Sequence, residues 1–226
     1  MAWSNTTAVS DRTRLPFRLI LATLLGLLTF AAIFGSAAAQ PLVPDFVPDK
    51  RVAQLEQNFL MGMISHHRSA VMMAKMAVEK ASKPELRTLA QKIIDSQNTE
   101  IELMSNYLRD WYGMQPPAGD MMSESMMRGM DMPMMHGTMP SMKAMMAQMD
   151  ALNMKTGKDF DIAFMSHMSE HHAMAVMMAA PVLISGYHGD LYKLAAQIVK
   201  DQGEEIVQMQ NWLETWYGLD RPLRMP

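Results

Sequence analysis

The chain is predicted to be all-α, a four-helix bundle made of two repeated helical hairpins with a Met-rich linker and a short extra helix between them. Three observations lead there: an internal repeat at a constant offset, apolar residues recurring at helical spacing, and a glycine closing each repeat at the same place. Sliding the sequence by 105 positions sets Phe59 on Phe164, Met63 on Met168, His66-His67 on His171-His172 and Val71-Met72-Met73 on Val176-Met177-Met178. Without a gap, Leu89-Ala90 then falls on Leu194-Ala195, Ile93 on Ile198, Gln97 on Gln202, Glu100-Ile101 on Glu205-Ile206, Met104 on Met209, and Trp111-Tyr112-Gly113 on Trp216-Tyr217-Gly218.

Arg12, Arg14 and Arg18 precede an apolar run from Leu19 to Phe34, and Ser36-Ala37-Ala38-Ala39 supplies the small residues that a signal peptidase cuts after. Residues 1–39 therefore read as a signal peptide for export to the periplasm or the medium. The competing reading is an uncut anchor, although the run is short of the roughly 20 residues a span needs. Residues 40–48 form an N-terminal linker, 49–113 the first hairpin, 114–158 a Met-rich insertion, 159–218 the second hairpin and 219–226 a tail.

In the first hairpin Phe59, Leu60, Met63, His66, His67, Ala70, Ala74 and Ala77 share one stripe at 100° per residue, as a core-facing helix requires. Ser82-Lys83-Pro84-Glu85 has the form of a capping box and opens the next helix. Along that helix Leu86, Ala90, Ile93, Ile94, Gln97, Glu100, Ile101, Met104, Leu108 and Trp111 lie on one face until Gly113 stops it. The second hairpin repeats the pattern, with a break at Ser185-Gly186 and a stop at Gly218. Pro181 is expected to end or kink its first helix. Met72, Met73, Met76, Met177 and Met178 read as core filler, and Trp111 and Trp216 as packing residues.

The insertion holds 15 of the 29 methionines. Its first part, Gln115 to Pro140, is rich in Pro and Gly and should be irregular, with Met130, Met132, Met134, Met135 and His136 forming a sulfur-rich tract. Its second part, Ser141 to Met154, should be a helix capped by Ser141, since Met142, Met145, Met146, Met149 and Leu152 follow helical spacing.

Of the 226 residues 49% are hydrophobic and 19% charged, enough for a core, and the net charge is -3. Without residues 1–39 the balance is 17 basic to 22 acidic, so no basic patch for nucleic acid or anionic lipid is expected. The absence of Cys excludes disulfides, thiolate zinc sites, iron–sulfur clusters and thiol nucleophiles. The polar residues on the inner stripes are therefore the informative ones. His66, His67, Gln97 and Glu100, with His171, His172, Gln202 and Glu205, stand where apolar side chains belong, and a buried imidazole or carboxylate without a partner costs several kcal/mol.

Helical spacing puts Met63 with His66 and His67, and Glu100 with Met104; the second hairpin offers Met168, His171, His172, Glu205 and Met209, with His167 and Glu170 in addition. Thioether sulfur is soft and uncharged and favours Cu(I), while imidazole also holds Cu(II). The expected ion is copper, Cu(I) first, with silver as its chemical analogue. Glu100 and Glu205 are either direct ligands or carboxylates that fix a histidine tautomer. Met134, Met135 and His136 would be an exchangeable donor surface.

The strings Met63-Ile64-Ser65-His66-His67-Arg68-Ser69-Ala70-Val71-Met72-Met73-Ala74 and Ile94-x-x-Gln97-x-x-Glu100-Ile101-x-x-Met104, repeated from Met168 and Val199, resemble the exported bacterial domain-of-unknown-function family 305, as two tandem copies. The resemblance implies a ferritin-like bundle and a periplasmic copper-binding protein linked to copper resistance, with His66, His67, His171, His172 and neighbouring methionines at the metal. Ser169 in place of Ile64 and Gly203 in place of Asn98 depart from a perfect repeat.

No enzyme is expected. A di-iron bundle needs Glu-x-x-His motifs, whereas Glu100 is followed at +3 by Leu103 and Glu205 by Gln208. The reading is a copper-binding protein that sequesters Cu(I) or transfers it to another copper-handling periplasmic protein. The alternatives are a cuprous oxidase, and a structural or interaction module whose histidines simply hydrogen-bond Glu100 and Glu205.

Overall fold

The computed structural model describes residues 47, 49–118 and 142–219. The signal peptide, nearly all of the 40–48 linker, the Met134-Met135-His136 tract, the Ser141 cap and most of the tail lie outside them. Among the described residues five helices follow in order: α1 Lys50–Lys80, α2 Pro84–Tyr112, α3 Met142–Asn153, α4 Gly157–Ser185 and α5 Gly189–Tyr217. α1 packs on α2, α4 on α5, and α1 on α4, an all-α bundle of two hairpins. Among the described residues no helix is long and apolar enough to cross a membrane.

The start and stop signals and the core-filling methionines behave as local chemistry dictates, with three exceptions. Asp49 caps α1 by accepting from Arg51 N at 2.8 Å. Gly113 and Gly218 close α2 and α5 at φ 62 and 66, a left-handed conformation that costs a residue with a Cβ about 1 kcal/mol or more. The first exception is the capping box. α2 starts at Pro84 with Lys83 at the cap and no side-chain cap bond, because the Ser82 hydroxyl is used elsewhere. The second is Pro181: α4 continues through it to Ser185. The third is Met177, which is exposed, although Met73 and Met178 are buried as expected.

The core is split into two apolar clusters. One joins Ala70, Ala74 and Ala77 of α1, Leu86 and Ile93 of α2, Leu152 of α3, Phe160 and Phe164 of α4, and Met209 and Leu213 of α5. The other joins Phe59, Leu60 and Met63 of α1, Met104 and Leu108 of α2, Ala175 and Val182 of α4, and Leu191 and Ile198 of α5. The late part of α1 thus meets the early parts of α2 and α4 and the late part of α5. α1 and α5 run one way, α2 and α4 the other. The connection from Gly113 to Thr156 must therefore travel the length of a 29-residue helix, about 43 Å at 1.5 Å per residue, a long crossover of the kind ferritin-like bundles contain. α3 lies where this crossover arrives, with Leu152 fully buried and Lys80 Nζ 2.5 Å from the Asn153 carbonyl oxygen.

The hairpins are locked by reciprocal carboxylates that periodicity did not single out. Glu56 of α1 is fully buried and accepts from Tyr112 Oη, from the backbone N–H groups of Tyr187 and His188 at 2.7 and 2.9 Å, and from His188 Nδ1 at 2.6 Å. Asp161 of α4, 105 positions on, accepts from Ser82 N at 2.8 Å, from the Ser82 hydroxyl, and from Tyr217 Oη at 2.7 Å. Each carboxylate so reaches the turn of the other hairpin, where it faces the positive end of that hairpin's second helix. Burial pushes the Glu56 carboxyl up, but the bonds from Tyr112, His188 and Tyr187 outweigh it and hold it below the ordinary 4.5. Gly186 permits the close approach, since a Cβ there would stand 2.6 Å from the Val182 carbonyl oxygen.

Glu56→Leu strands several buried donors at about 1–3 kcal/mol each. The variant should lose at least about 3 kcal/mol in urea unfolding, and Asp161→Leu somewhat less, because it breaks one bond fewer.

Candidate metal centre

Between the two apolar clusters lies a polar layer. α1 contributes His66, His67 and Ser69, α2 contributes Gln97 and Glu100, α4 contributes Ser169, His171 and His172, and α5 contributes Gln202 and Glu205. All are buried except Glu100, which is partly so. The layer exists because helical spacing keeps these positions on the inner faces, and adjacent histidines on one helix point about 100° apart. His67 turns to α2 and His66 to α4.

His67 Nε2 is 2.6 Å from Glu100 Oε2, and His172 Nε2 is 2.9 Å from Glu205 Oε2. Lys92 Nζ reaches Glu205 Oε1 from α2 at 3.4 Å. A carboxylate only accepts, so Nε2 carries the hydrogen that faces it, and Nδ1 is the nitrogen left for a further partner. At both histidines Nδ1 is buried without a hydrogen-bond partner. Glu100 and Glu205 each stand where a tautomer-fixing carboxylate would, bonded to a histidine of the layer.

His66 and His171 lie on one another across the hairpin interface, ring centroids 3.7 Å apart and planes at 35°. The Ser69 hydroxyl donates to the His66 carbonyl oxygen at 2.7 Å and has His171 Nε2 at 2.6 Å. Its single hydrogen is used, so His171 Nε2 donates and Nδ1 is a lone pair, again without a partner. Neither ring nitrogen of His66 has a partner. Burial pushes both imidazoles well below the ordinary 6.5; His171, His67 and His172 add to this at His66, with the His171 backbone opposing, and His172 and His67 add to it at His171. Both rings are neutral at neutral pH and offer lone pairs in a dry site.

Met63 and Met104 are fully buried in the cluster on one side of this layer, and Met168 and Met209 in the cluster on the other. Met63 and Met168 each stand one helical turn before a histidine pair, on opposite sides of the layer, and Met104 and Met209 one turn after Glu100 and Glu205. His167 is half-buried with its Nδ1 unpartnered, whereas Glu170 is exposed, because its position on α4 turns it out of the stripe. Among the described residues no three His, Asp or Glu side chains gather around one point to hold a metal ion. A third donor beside two imidazoles would have to be a thioether, an amide oxygen or water. Gln202 has both amide atoms and Gln97 its Oε1 unpartnered, as is Ser169 Oγ. Ser69 and Ser169 were invisible to the repeat, since neither is matched by a serine 105 positions away.

Imidazoles layered between thioether-bearing clusters are donor types that suit a soft ion better than a hard one. The chain belongs to the DUF305 family, a domain of unknown function whose model matches residues 56–213. The match is one continuous span through both hairpins, so it does not bear out two tandem copies of the family domain. CopM in the Cu(I)-bound form is 33% identical, covering 72% of this chain and 98% of that one with a TM-score of 0.57. CopM is also solved in Cu(II)-bound, Ag-bound and apo forms. A DUF305 fragment from Deinococcus radiodurans is 28% identical, covering 75% of this chain and 98% of that one with a TM-score of 0.57. The uncharacterized protein L153 of Acanthamoeba polyphaga mimivirus is 40% identical over 53 residues, 24% of this chain, and the match spans only 35% of that protein.

In metal-free protein the unfolded chain binds protons at His66 and His171 near pH 6.5, and the folded chain does not until a lower pH. Stability from this source is fully present above about pH 7. It is lost as pH falls through 6.5 toward the folded value, by up to about 1.4 kcal/mol per pH unit for each ring. Urea unfolding across this range should show the slope in wild type and a flatter one in His66→Phe with His171→Phe.

Proposed function

We propose that this protein binds copper, Cu(I) first, in the polar layer of its bundle, and that it sequesters the ion or hands it to another copper-handling protein outside the cytoplasm, contributing to copper tolerance. The observation that carries the reading is the set of buried imidazole nitrogens without partners, in a layer between clusters that hold fully buried Met63, Met104, Met168 and Met209. Such donors suit a soft monovalent ion, and thioethers do not form the disulfides that would tie up thiols outside the cytoplasm. The solved Cu(I), Cu(II) and Ag forms of CopM, at about one-third identity over most of its length, support the same ligand class, silver included. Met134, Met135 and His136 serve as a second, exchangeable donor set.

The role is binding without turnover, so adding Cu(I) in air should produce no sustained oxygen consumption beyond the buffer rate. A second reading, a structural module with internally tied histidines, is favoured by the His67–Glu100 and His172–Glu205 bonds. It leaves His66 unexplained.

Equilibrium competition against a chromophoric Cu(I) chelator separates the two. In a background carrying Met134→Leu, Met135→Leu and His136→Ala, wild-type bundle residues should still hold Cu(I), and His66→Ala with His171→Ala should abolish that binding. Unchanged affinity and stoichiometry in the double variant would defeat the copper reading. Glu100→Gln with Glu205→Gln should weaken binding about 10–100-fold, as loss of a ligand-orienting partner does.

A further inference from the structure

Contacts between the hairpins come in exchanged pairs. Glu56 holds the Tyr187 N–H as Asp161 holds the Ser82 N–H, and His188 stacks on Trp111 at 3.9 Å as Lys83 Nζ sits 5.5 Å from the Trp216 ring centre. In each case the residues differ by 105 and the hairpins trade places, which defines an approximate two-fold axis. The His66–His171 contact maps onto itself, so the axis passes between these two rings.

The same operation carries the Ser69–His171 hydrogen bond onto position 174 and His66, and residue 174 is Met. The symmetric bundle therefore holds an asymmetric layer. His171 has Nε2 tied by a hydroxyl, while His66 has both nitrogens unpartnered and a thioether at the corresponding place. Met174 is half-buried against the cluster that also contains Met63, one turn before His66. The His66 half thus commands Met63, His66 and Met174, whereas the His171 half commands Met168, His171 and Ser69. One side offers two sulfurs and a free ring, the other one sulfur and a tethered ring. Thioether chains are flexible enough to swing onto an ion between them.

We infer that Met63, His66 and Met174 form the tighter of two unequal soft-cation positions in the layer, with Met174 a ligand and Ser69 a positioning residue that ties off His171. The inference rests on the copper-binding reading. It names which half loads first and adds a ligand at a position where the repeat itself differs. Charge favours a monovalent ion, since all three donors are neutral and the neighbouring carboxylates are occupied by His67 and His172.

The test is a titration of the full-length wild-type protein with Ag(I), following the imidazole nitrogens by long-range proton–nitrogen NMR. His66 resonances should move before those of His171. Met174→Leu, which keeps the volume, should weaken the tighter bundle position at least tenfold by Ag(I) competition, and Ser69→Met should strengthen the weaker one toward it. If no imidazole of the layer moves at saturation, the copper-binding reading itself falls. If His171 moves first or together with His66, the asymmetry is wrong while that reading stands. The order of movement in wild type decides this even where a variant does not fold.

Discussion

The structure depends on a band of imidazoles held out of water at the middle of an otherwise apolar bundle. Desolvation forbids these rings a charge unless something compensates it, and the bundle compensates only in part. Glu100 and Glu205 satisfy one nitrogen each on His67 and His172, Ser69 satisfies one on His171, and His66 is left with none. Every lone pair left over sits where a buried unsatisfied group costs about 1–3 kcal/mol. The clusters above and below offset that cost, since burying each large apolar side chain gains about 1.5–3 kcal/mol. A cation that takes up the lone pairs turns the cost into binding energy.

The two-fold arrangement explains how a repeated hairpin builds both halves of such a site. The two histidine dyads lie near the middle of α1 and α4 and face one another with these helices antiparallel, so that α4 begins at the end of the bundle opposite to where α2 stops. Registration at the ends comes from Glu56 and Asp161, each buried in its own hairpin and bonded to the turn of the other. These latches set the axial position of α1 against α4. That position in turn brings His66 and His171 to ring contact. The chemistry at the centre is positioned by hydrogen bonds made several turns away.

Symmetry at the ends and asymmetry at the centre have different physical origins. The latch has a carboxylate, a tyrosine and backbone N–H donors in each half, completed by the His188 ring at Glu56 and by the Ser82 hydroxyl at Asp161. The layer differs in kind: a hydroxyl competes with metal for an imidazole nitrogen, and a thioether adds to it. Lys92 reaching Glu205, with Gln197 at the position 105 residues on, is a second such difference. Family membership accounts for the bundle, and these are places where its two halves differ.

Helix ends, the buried stripes and the positions of the polar layer were legible in the sequence because each follows from spacing along one helix. Phe59, Met63, His66, Ala70 and Ala77 needed no knowledge of a partner to be placed inside. What failed was local reasoning about shared groups: Ser82 serves Asp161 rather than the helix it precedes, Pro181 is carried within α4, and Glu170 faces water. The sequence by itself determined an all-α, duplicated bundle with soft donors on its inner faces, since periodicity and composition are properties of neighbouring residues. Only the tertiary structure decided which nitrogen of His67, His171 and His172 is tied, because those bonds join residues from 33 to 102 positions apart and depend on how the helices are set against one another.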